Sequence, residues 1–385
     1  MSTDPRWARA EVDLDAIRHN VETLRARVAP AALWAVVKAN GYGHGAVDVA
    51  RTAISAGAEG LCVALVQEGV ELRRAGIDAP ILLLSEQPPE LAATIVDNRL
   101  TPTVYRREFL DALVHEGPSG LPVHLLVDTG MQRVGAHPHA AASMGAAIGQ
   151  RSPSVRLAGV YTHLAVADQT DDDSMAVTEA QLDRLDGVVG QLADEIPAVV
   201  GPGSGVLVHA ANSAGALRHE RARLSMVRVG IAMYGISPGP DLDELCVDLR
   251  PAIELRSRVS FVKQVRAGSR ISYGLRHRFE RDTTVATVPI GYADGVPRRL
   301  WATGGEVLVG GRRCPIVGVV TMDQLMVDCG DADVRVGDDV VLLGEQGGER
   351  IRPEDWARSL DTIGYEVVCG ISGRIPRVPR RSIDD

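Results

Sequence analysis

The first 240 or so residues alternate short apolar runs with amphipathic segments, and this alternation constrains the fold more than any other feature. Runs rich in aliphatic and β-branched residues predict buried parallel strands, and the segments between them predict helices. We predict strands at 8–12, 33–37, 61–65, 81–84, 101–104, 123–127, 157–162 and 206–210. About eight strand–helix repeats favour a (β/α)8 barrel, with a doubly wound open sheet as the alternative.

Helical patterns fill the gaps between these runs, for example at 15–27, 66–75 and 177–192, and Asp13 or Asp15 can cap the first of them. After residue 251 the pattern changes. Strand-like runs at 254–262, 284–289, 306–309, 325–328 and 339–343 follow one another, with one helical segment at 353–360. We therefore predict an α/β chain: a TIM-type barrel at residues 1–245, then a mainly β domain at residues 246–385.

Composition excludes several classes of function. The net charge of −9 argues against a nucleic-acid partner, because no basic surface is available to neutralise phosphates. The five cysteines are odd in number and lack metal-ligand spacing, which is typical of reduced thiols and indicates no metal site. The chain begins without a signal-peptide pattern and contains no apolar run of membrane-spanning length. We expect a cytoplasmic protein without a membrane partner.

Lys38 follows the apolar run at 33–37 and so falls at the C-terminal end of a predicted barrel strand, where barrel enzymes carry their chemistry. His163, Asn212 and Ser213 follow predicted strands in the same way. A lysine there is costly unless it is solvated, paired or covalently converted, and desolvation lowers an amine pKa towards the nucleophilic range. The plainer alternative is a solvated lysine at a sheet edge. A glycine-rich string at 201–205 precedes a strand, so it predicts a turn and not a phosphate loop.

Residues 38–45 read Lys-Ala-Asn-Gly-Tyr-Gly-His-Gly, and this string resembles the cofactor-lysine motif of the alanine racemase family. Seven further strings match that family in order: Asp-Thr-Gly-Met-Gln-Arg at 128–133, Thr-His at 162–163, His-Ala-Ala-Asn-Ser-Ala at 209–214, Arg-Val-Gly-Ile-Ala-Met-Tyr-Gly at 228–235, Ser-Tyr-Gly at 272–274, Pro-Ile-Gly-Tyr-Ala-Asp-Gly at 289–295 and Met-Asp-Gln at 322–324. The resemblance covers nearly the whole chain. It implies pyridoxal 5'-phosphate as cofactor, a small amino-acid substrate, a homodimer with shared active sites, and a role in supplying D-alanine for peptidoglycan precursors.

The resemblance also implies roles for two catalytic residues. Lys38 would bind the cofactor aldehyde covalently and then act as a base once substrate displaces it. Tyr273, supplied by the partner subunit, would be the opposing base. Racemisation removes a proton from one face of the Cα and returns one to the other, so two groups on opposite faces suit the reaction.

Other positions match the family's cofactor contacts. Arg228 would face the pyridine nitrogen, to which it can donate a hydrogen bond but cannot deliver a proton. That disfavours transamination, and related barrel decarboxylases carry a carboxylate there instead. His163 would lie near the cofactor ring. The phosphate would be bound by a set of hydroxyls and backbone amides: Tyr42, Ser213, Gly230 and Ile231, with Asn212 beside them.

Four positions match the family's substrate contacts: Arg133, Tyr292, Met322 and Asp323. Arg133 would touch the substrate carboxylate, and the Met322 amide would lie near the same group. Two phenols and a short backbone wall suit a small side chain, which favours alanine as the substrate.

Two positions depart from the family. Leu126 stands where many members carry a carboxylated lysine that orients the motif arginine, and Gly373 stands where many carry a tyrosine that contacts the phosphate. Both changes suggest a looser pocket, so a broader-specificity racemase that accepts serine, for example in a biosynthetic pathway, is one alternative. A fold-related amino-acid decarboxylase and a non-catalytic carrier of pyridoxal phosphate are the others.

Overall fold

The computed structural model of the protein describes residues 7–117, 120–197, 200 and 205–380. The chain forms two compact units. One contains residues 17–41 and the described parts of 46–249, and the other contains the described parts of 1–16, 42–45 and 250–385. Most of the turn predicted at 201–205 lies outside the described residues.

The first unit is a (β/α)8 barrel, as predicted. The described chain opens with β1 (Arg9–Asp13) of the other unit and α1 (Leu14–Val28). Strands and helices then alternate: β2 (Ala32–Val36), α2 (Ala46–Ser55), β3 (Gly60–Val63), α3 (Val66–Arg74), β4 (Ile81–Leu83), α4 (Ala92–Asp97), β5 (Thr103–Val104), α5 (Arg107–Glu116), β6 (Leu121–Leu126), α6 (Pro138–Gly149), β7 (Val155–Tyr161), α7 (Asp172–Glu195), β8 (Leu207–His209), α8 (Ser213–Arg218) and β9 (Met226–Val229). The strands pair in parallel in the orders β4-β3-β2-β9 and β5-β6-β7-β8.

Two links close these strands into a barrel. Leu82 and Thr101 form a parallel bridge between the β4 and β5 regions. The Ser225 N–H donates to the Val208 carbonyl at 3.0 Å, which joins the β9 region to β8. Strands such as β3 are buried along their whole length, because helices cover the outer face and side chains fill the interior.

One predicted barrel strand belongs elsewhere. Residues 8–12 correspond to β1, which pairs with two strands of the second unit. Its charged residues Arg9 and Glu11 alternate with apolar ones, a pattern more typical of an open sheet. The eighth barrel strand is β9, which the sequence analysis missed because Arg228 interrupts its short apolar run.

Aspartate side chains cap α1 and α7, the first of them as predicted. Asp13 accepts the Ala16 N–H at 2.8 Å at the start of α1, and Asp171 accepts the Ser174 N–H at 3.0 Å at the start of α7. Each cap satisfies a backbone donor that has no partner within its helix. None of the helices in the described ranges combines the length and hydropathy needed to cross a membrane.

The second unit is mainly β, again as predicted. Its further elements are β10 (Ile253–Arg258), β11 (Phe261–Val265), β12 (Arg270–Ile271), β13 (His277–Arg278), β14 (Thr283–Val288), β15 (Glu306–Val309), β16 (Arg312–Pro315), β17 (Leu325–Gly330), β18 (Asp339–Gln346), β19 (Glu349–Ile351), α9 (Pro353–Leu360), α10 (Gly364–Cys369) and β20 (Arg377–Arg380). One sheet runs β16-β15-β18-β10-β1-β20, with β19 on β18, and a second runs β11-β14-β17. The single strand predicted at 254–262 is in fact two strands in different sheets, β10 and β11, and α10 was not predicted.

Candidate active site

Lys38 lies two residues beyond the end of β2, at the start of a left-handed turn. The φ angles are +52° at Ala39, +53° at Asn40, +61° at Gly41 and +51° at Tyr42. Residues with a Cβ rarely adopt this conformation, so the surroundings must hold it. The Asn40 side chain accepts the Ala46 N–H at 2.9 Å, and Glu68 accepts the Ala39 N–H at 2.6 Å. A strained backbone conformation that is stabilised by its surroundings in this way is typical of a functional turn.

A cavity of about 290 Å³ opens at the C-terminal ends of the barrel strands. Lys38, Leu126, Arg133 and His163 all line it, together with Tyr161. The cavity therefore brings together three of the predicted site residues, Lys38, Arg133 and His163. It also contains Leu126, one of the two positions that depart from the family. Tyr161 was not predicted.

Arg228 is a buried cation in the barrel interior. Its guanidinium donates to His209 Nδ1 at 2.5 Å, to the Thr162 carbonyl at 2.8 Å and to the Ala210 carbonyl at 3.0 Å. It also lies 4.9 Å from the centre of the Tyr161 ring, a favourable position for a cation. Burial lowers the pKa of Arg228 from its usual value. None of these partners is a carboxylate, so its charge faces neutral acceptors.

A chain of two neutral histidines extends from Arg228. Arginine can only donate, so His209 must accept at Nδ1 and carry its proton on Nε2, which lies 2.9 Å from His124 Nδ1. Burial, followed by the charge of Arg228, holds the pKa of His209 well below its usual value and lowers that of His124 to about 3. Gly159 makes room for this arrangement, because a Cβ there would lie 2.5 Å from His124 Nδ1.

No role was predicted from the sequence for His124 or His209. The available signal was a histidine within each of two buried strands, where an ionisable side chain needs a partner. Without the fold, nothing in the sequence shows that the two rings meet each other and Arg228.

His163 borders the cavity as a neutral imidazole. Its pKa is lowered to about 3, chiefly by burial and further by the positive charges of Arg228, Arg133 and Lys38. Its Nδ1 lies 3.4 Å from an Arg228 nitrogen, at the long end of hydrogen-bonding distance. At neutral pH His163 can accept or donate a hydrogen bond but adds no charge.

The predicted phosphate-binding residues of the barrel come from two segments, the start of α8 at Ser213 and the turn after β9 at Gly230 and Ile231. Strand β9 pairs with β2, with Ala35 opposite Val229, so Gly230 comes level with the end of β2. The buried Ser213 hydroxyl accepts the Gly230 N–H at 2.9 Å. Ile231 then opens the 3-10 turn Ile231–Tyr234, and its N–H has no acceptor within that turn.

Asn212 shapes the same region by capping α8. Its side-chain oxygen accepts the Gly215 N–H at 2.9 Å, so the following Ser213 is the first residue of the helix. The segment thus presents a hydroxyl and backbone amides together, a combination that suits an anionic group.

Arg133 lies on a loop whose backbone is fixed but whose guanidinium forms no hydrogen bond or ion pair with another described residue. The Asp128 N–H donates to the Ala136 carbonyl at 2.9 Å, which closes the base of the loop. The Asp128 carboxylate accepts the N–H groups of Gly130 and Gln132, both at 3.0 Å. Leu126, buried at the base of the loop, offers no polar atom to Arg133. Asp128 therefore fixes the backbone immediately before Arg133.

For the amino-acid substrate that the family resemblance implies, we expect Asp128→Ala to raise KM about tenfold with a small change in kcat, because the amides of Gly130 and Gln132 lose their acceptor and the backbone before Arg133 is no longer fixed. Steady-state kinetics in both directions measure this. Asp78→Ala is the matched control, since Asp78 pairs with Arg99 at an exposed surface. An unchanged KM in Asp128→Ala would show that the loop backbone does not position Arg133.

The other predicted residues lie in the second unit. Tyr273 opens the 3-10 turn Tyr273–Leu275, and Tyr292 opens the turn Tyr292–Asp294. Met322 and Asp323 lie on the loop between β16 and β17. These side chains are exposed within one chain, Tyr273 at 70%, Met322 at 52% and Tyr292 at 41%. Tyr42 is buried, with its ring centre 6.0 Å from that of Tyr365.

Residues 316–324, which we term the hub loop, connect these exposed residues. The Ser272 hydroxyl donates to the Val319 carbonyl at 2.7 Å, next to Tyr273. The Tyr292 N–H donates to the Thr321 carbonyl at 3.0 Å. A Cβ on Gly291 would lie 2.3 Å from that carbonyl oxygen, so only glycine allows this approach. The hub loop therefore contacts the backbone on which both phenols stand.

Gly373 is exposed, and a Cβ built on it meets no atom within 4 Å. No steric contact therefore requires glycine at position 373, and a larger side chain could be accommodated there. In the part of the chain that the structure describes, no cluster of three or more His, Cys, Asp or Glu side chains could hold a metal ion.

Comparison with known proteins gives a consistent result along the chain. Residues 12–238 match the family model of the alanine racemase N-terminal domain, and residues 252–379 match that of the C-terminal domain. The alanine racemase of Symbiobacterium thermophilum is 48% identical over 97% of this chain and 96% of its own length. Alanine racemase 1 of Bacillus subtilis is 41% identical over 98% and 95%. The alanine racemase structure from D-cycloserine-producing Streptomyces lavendulae aligns with a TM-score of 0.89 at 38% identity, covering 99% of both chains.

Proposed function

Because the chain belongs to the alanine racemase family, we propose that it interconverts L- and D-alanine with pyridoxal 5'-phosphate as cofactor, by a two-base mechanism in a homodimer. The proposed enzyme works in the cytoplasm and supplies D-alanine for peptidoglycan precursors. The observation that carries the proposal is Arg228, a buried donor-only cation among neutral acceptors, whose charge acts with that of Lys38 on His163 at the cavity.

The donor set fits pyridoxal phosphate. Lys38 offers a primary amine at the cavity, and the Ser213 hydroxyl and the Ile231 N–H offer donors for a phosphate. When bound, the cofactor withdraws electrons from the substrate Cα and so makes its α-proton removable. Arg228 would face the ring nitrogen, to which it could donate a hydrogen bond but not a proton, because an arginine does not release its proton at any accessible pH. That limits electron withdrawal and favours simple return of a proton to the Cα.

The remaining residues bind and orient the substrate and transfer protons. Lys38 removes or returns the α-proton on one face, and Tyr273 of the partner subunit does so on the other. Arg133 binds the substrate carboxylate. Met322, Asp323 and Tyr292 of the partner subunit line the open side of the pocket. The support for a shared site is that Tyr273, Tyr292 and Met322 are all exposed within one chain and stand on segments joined by the hub loop, since clustered large side chains at a surface mark an interaction site.

A decarboxylase is disfavoured by the same arginine, since the fold-related decarboxylases carry a carboxylate at that position. A broader racemase remains the second candidate, and it is favoured by Leu126. This residue lines the cavity with an apolar side chain and leaves Arg133 without a polar partner, so the substrate carboxylate is held less rigidly.

The experiment is incubation of the purified protein and pyridoxal phosphate with L-alanine in D2O. We expect deuterium at the α-carbon together with conversion towards equal amounts of D- and L-alanine. Loss of CO2 from basic amino acids, without inversion of alanine, would instead identify a decarboxylase. Bound cofactor with no exchange on any amino acid would identify a carrier.

The same assay run on L-serine and larger amino acids tests substrate breadth. A one-methylene or hydroxyl difference in a pocket changes kcat/KM by about 10–200-fold. We expect serine to react within this range of alanine, and a kcat/KM for serine far below it would contradict the looser pocket inferred from Leu126.

A further inference from the structure

Strands β16 and β17 of the second unit run antiparallel where Ile316 faces Val327. The Val317 N–H donates across the pair to the Met326 carbonyl at 2.8 Å, whereas the Ile316 N–H donates to the Gly305 carbonyl at 2.9 Å, outside the pair. Ile316 and Val327 are therefore a non-hydrogen-bonded pair of the ladder, the kind whose side chains come closest together.

The same register places Cys314 opposite Cys329, two residues further along and again at a non-hydrogen-bonded position. Cα atoms in such pairs are about 4.5 Å apart, within the range of about 4.4–6.8 Å that a disulfide spans. The two thiols interact directly with each other, the Cys329 Sγ also lies 3.9 Å from the Val327 carbonyl, and the residues are only 4% and 6% exposed. All five cysteines are reduced in the structure, including exposed Cys369.

The interaction between the thiols makes them unequal. It lowers the pKa of Cys314 and raises that of Cys329, where burial acts in the same direction. A thiolate is the reactive form of cysteine, so Cys314 is the nucleophile of the pair and Cys329 the resolving thiol.

We propose that Cys314 and Cys329 form a peroxide-sensitive dithiol that closes reversibly into a disulfide at the base of the hub loop. The Cys314 thiolate attacks one oxygen of hydrogen peroxide, the O–O bond breaks, and a sulfenic acid forms with release of hydroxide. The Cys329 sulfur then attacks the Cys314 sulfur, and the S–O bond breaks. Both thiol protons end in water, so one dithiol and one peroxide give one disulfide and two waters.

The position of this pair gives the disulfide a structural consequence. The residues between the two cysteines include the whole hub loop, which contacts the backbone beside Tyr273 and Tyr292 and carries Met322. A cross-link at its base restricts the conformations open to the loop in the unfolded chain and so stabilises the folded unit. The inference does not depend on the proposed reaction, because disulfide formation is measured directly.

The test treats the purified, cofactor-loaded protein with hydrogen peroxide, blocks remaining thiols without reduction, and identifies digested peptides by mass spectrometry. We expect a peptide pair joined through Cys314 and Cys329, lost after treatment with dithiothreitol. The exposed Cys369 reports that the oxidant acted. Recovery of Cys314 and Cys329 as blocked thiols or as sulfinic acids, while Cys369 is oxidised, would overturn the proposal.

Thermal unfolding provides a second measurement. We expect peroxide to raise the Tm of the parent protein on the order of 5 °C, reversibly with dithiothreitol. Cys314→Ser and Cys329→Ser should lose this shift, and Cys314→Ala serves if the serine variant does not fold. Cys369→Ser, the matched control, should keep the shift. An equal shift in all variants would show that another oxidation is responsible.

Discussion

Replacing Lys38 by alanine is expected to abolish covalent binding of pyridoxal phosphate and to lower the racemisation rate by more than about 10⁴-fold. One residue would lose two roles at once, the attachment of the cofactor and the transfer of a proton on one face of the substrate. The fold should persist, because Lys38 lies beyond the end of β2 and half-exposed, outside the barrel core. Absorbance of the bound cofactor and the rate of alanine inversion measure the two losses.

The composition of the chain makes this test unusually sharp. The sequence contains two lysines, Lys38 and Lys263, and Lys263 is exposed on β11. Borohydride treatment of the loaded protein should therefore fix the cofactor on the peptide that carries Lys38 and on no other. Lys263→Ala is the matched control, with activity and labelling unchanged. Labelling of Lys263, or turnover surviving in Lys38→Ala, would disprove the assignment of Lys38.

The sequence predicted the barrel well because a parallel strand buried on both faces leaves a continuous apolar run, which β2, β3 and β4 all show. The same rule explains the error at β9. Its central Arg228 is stabilised by backbone carbonyls and by a histidine from neighbouring strands, and none of these contacts is local in sequence. A strand with a buried charge lacks the continuous apolar run by which hydrophobic periodicity identifies strands.

Some residues of the candidate site could likewise be predicted from the sequence, and others could not. Lys38 and the turn after it could be predicted because one short string encodes the strand end, the glycines and the asparagine that holds the turn. The neutral pair His124 and His209 could not, because its chemistry depends on two rings meeting inside a closed barrel. The role of Asp128 was hidden for another reason. Its carboxylate holds the backbone amides of Gly130 and Gln132, just before Arg133, and residue types alone do not reveal such contacts.

Replacing Tyr273 by phenylalanine is expected to lower racemisation by about 10²–10⁴-fold while leaving the cofactor bound. The ring and its turn remain, since Ser272 and not the phenol holds the segment to the hub loop. In D2O, one enantiomer of alanine should still exchange its α-proton through Lys38, without inversion, and the other should not. Tyr105→Phe controls for loss of a phenol elsewhere. Equal loss of exchange for both enantiomers would contradict a one-face role for Tyr273.

Mixing the two inactive variants tests whether the site is shared between subunits. If Lys38 of one protomer works with Tyr273 of its partner, a mixed dimer of Lys38→Ala and Tyr273→Phe chains contains one doubly defective site and one intact site. After exchange of subunits in equal amounts, about half of the dimers are mixed, so about a quarter of the parent activity should return. Sites built within single chains would give no recovery, because every site would then carry one of the two defects. Recovery of activity would thus assign Tyr273, which is 70% exposed within one chain, to the active site in the neighbouring protomer's barrel. No recovery would contradict a site shared between subunits.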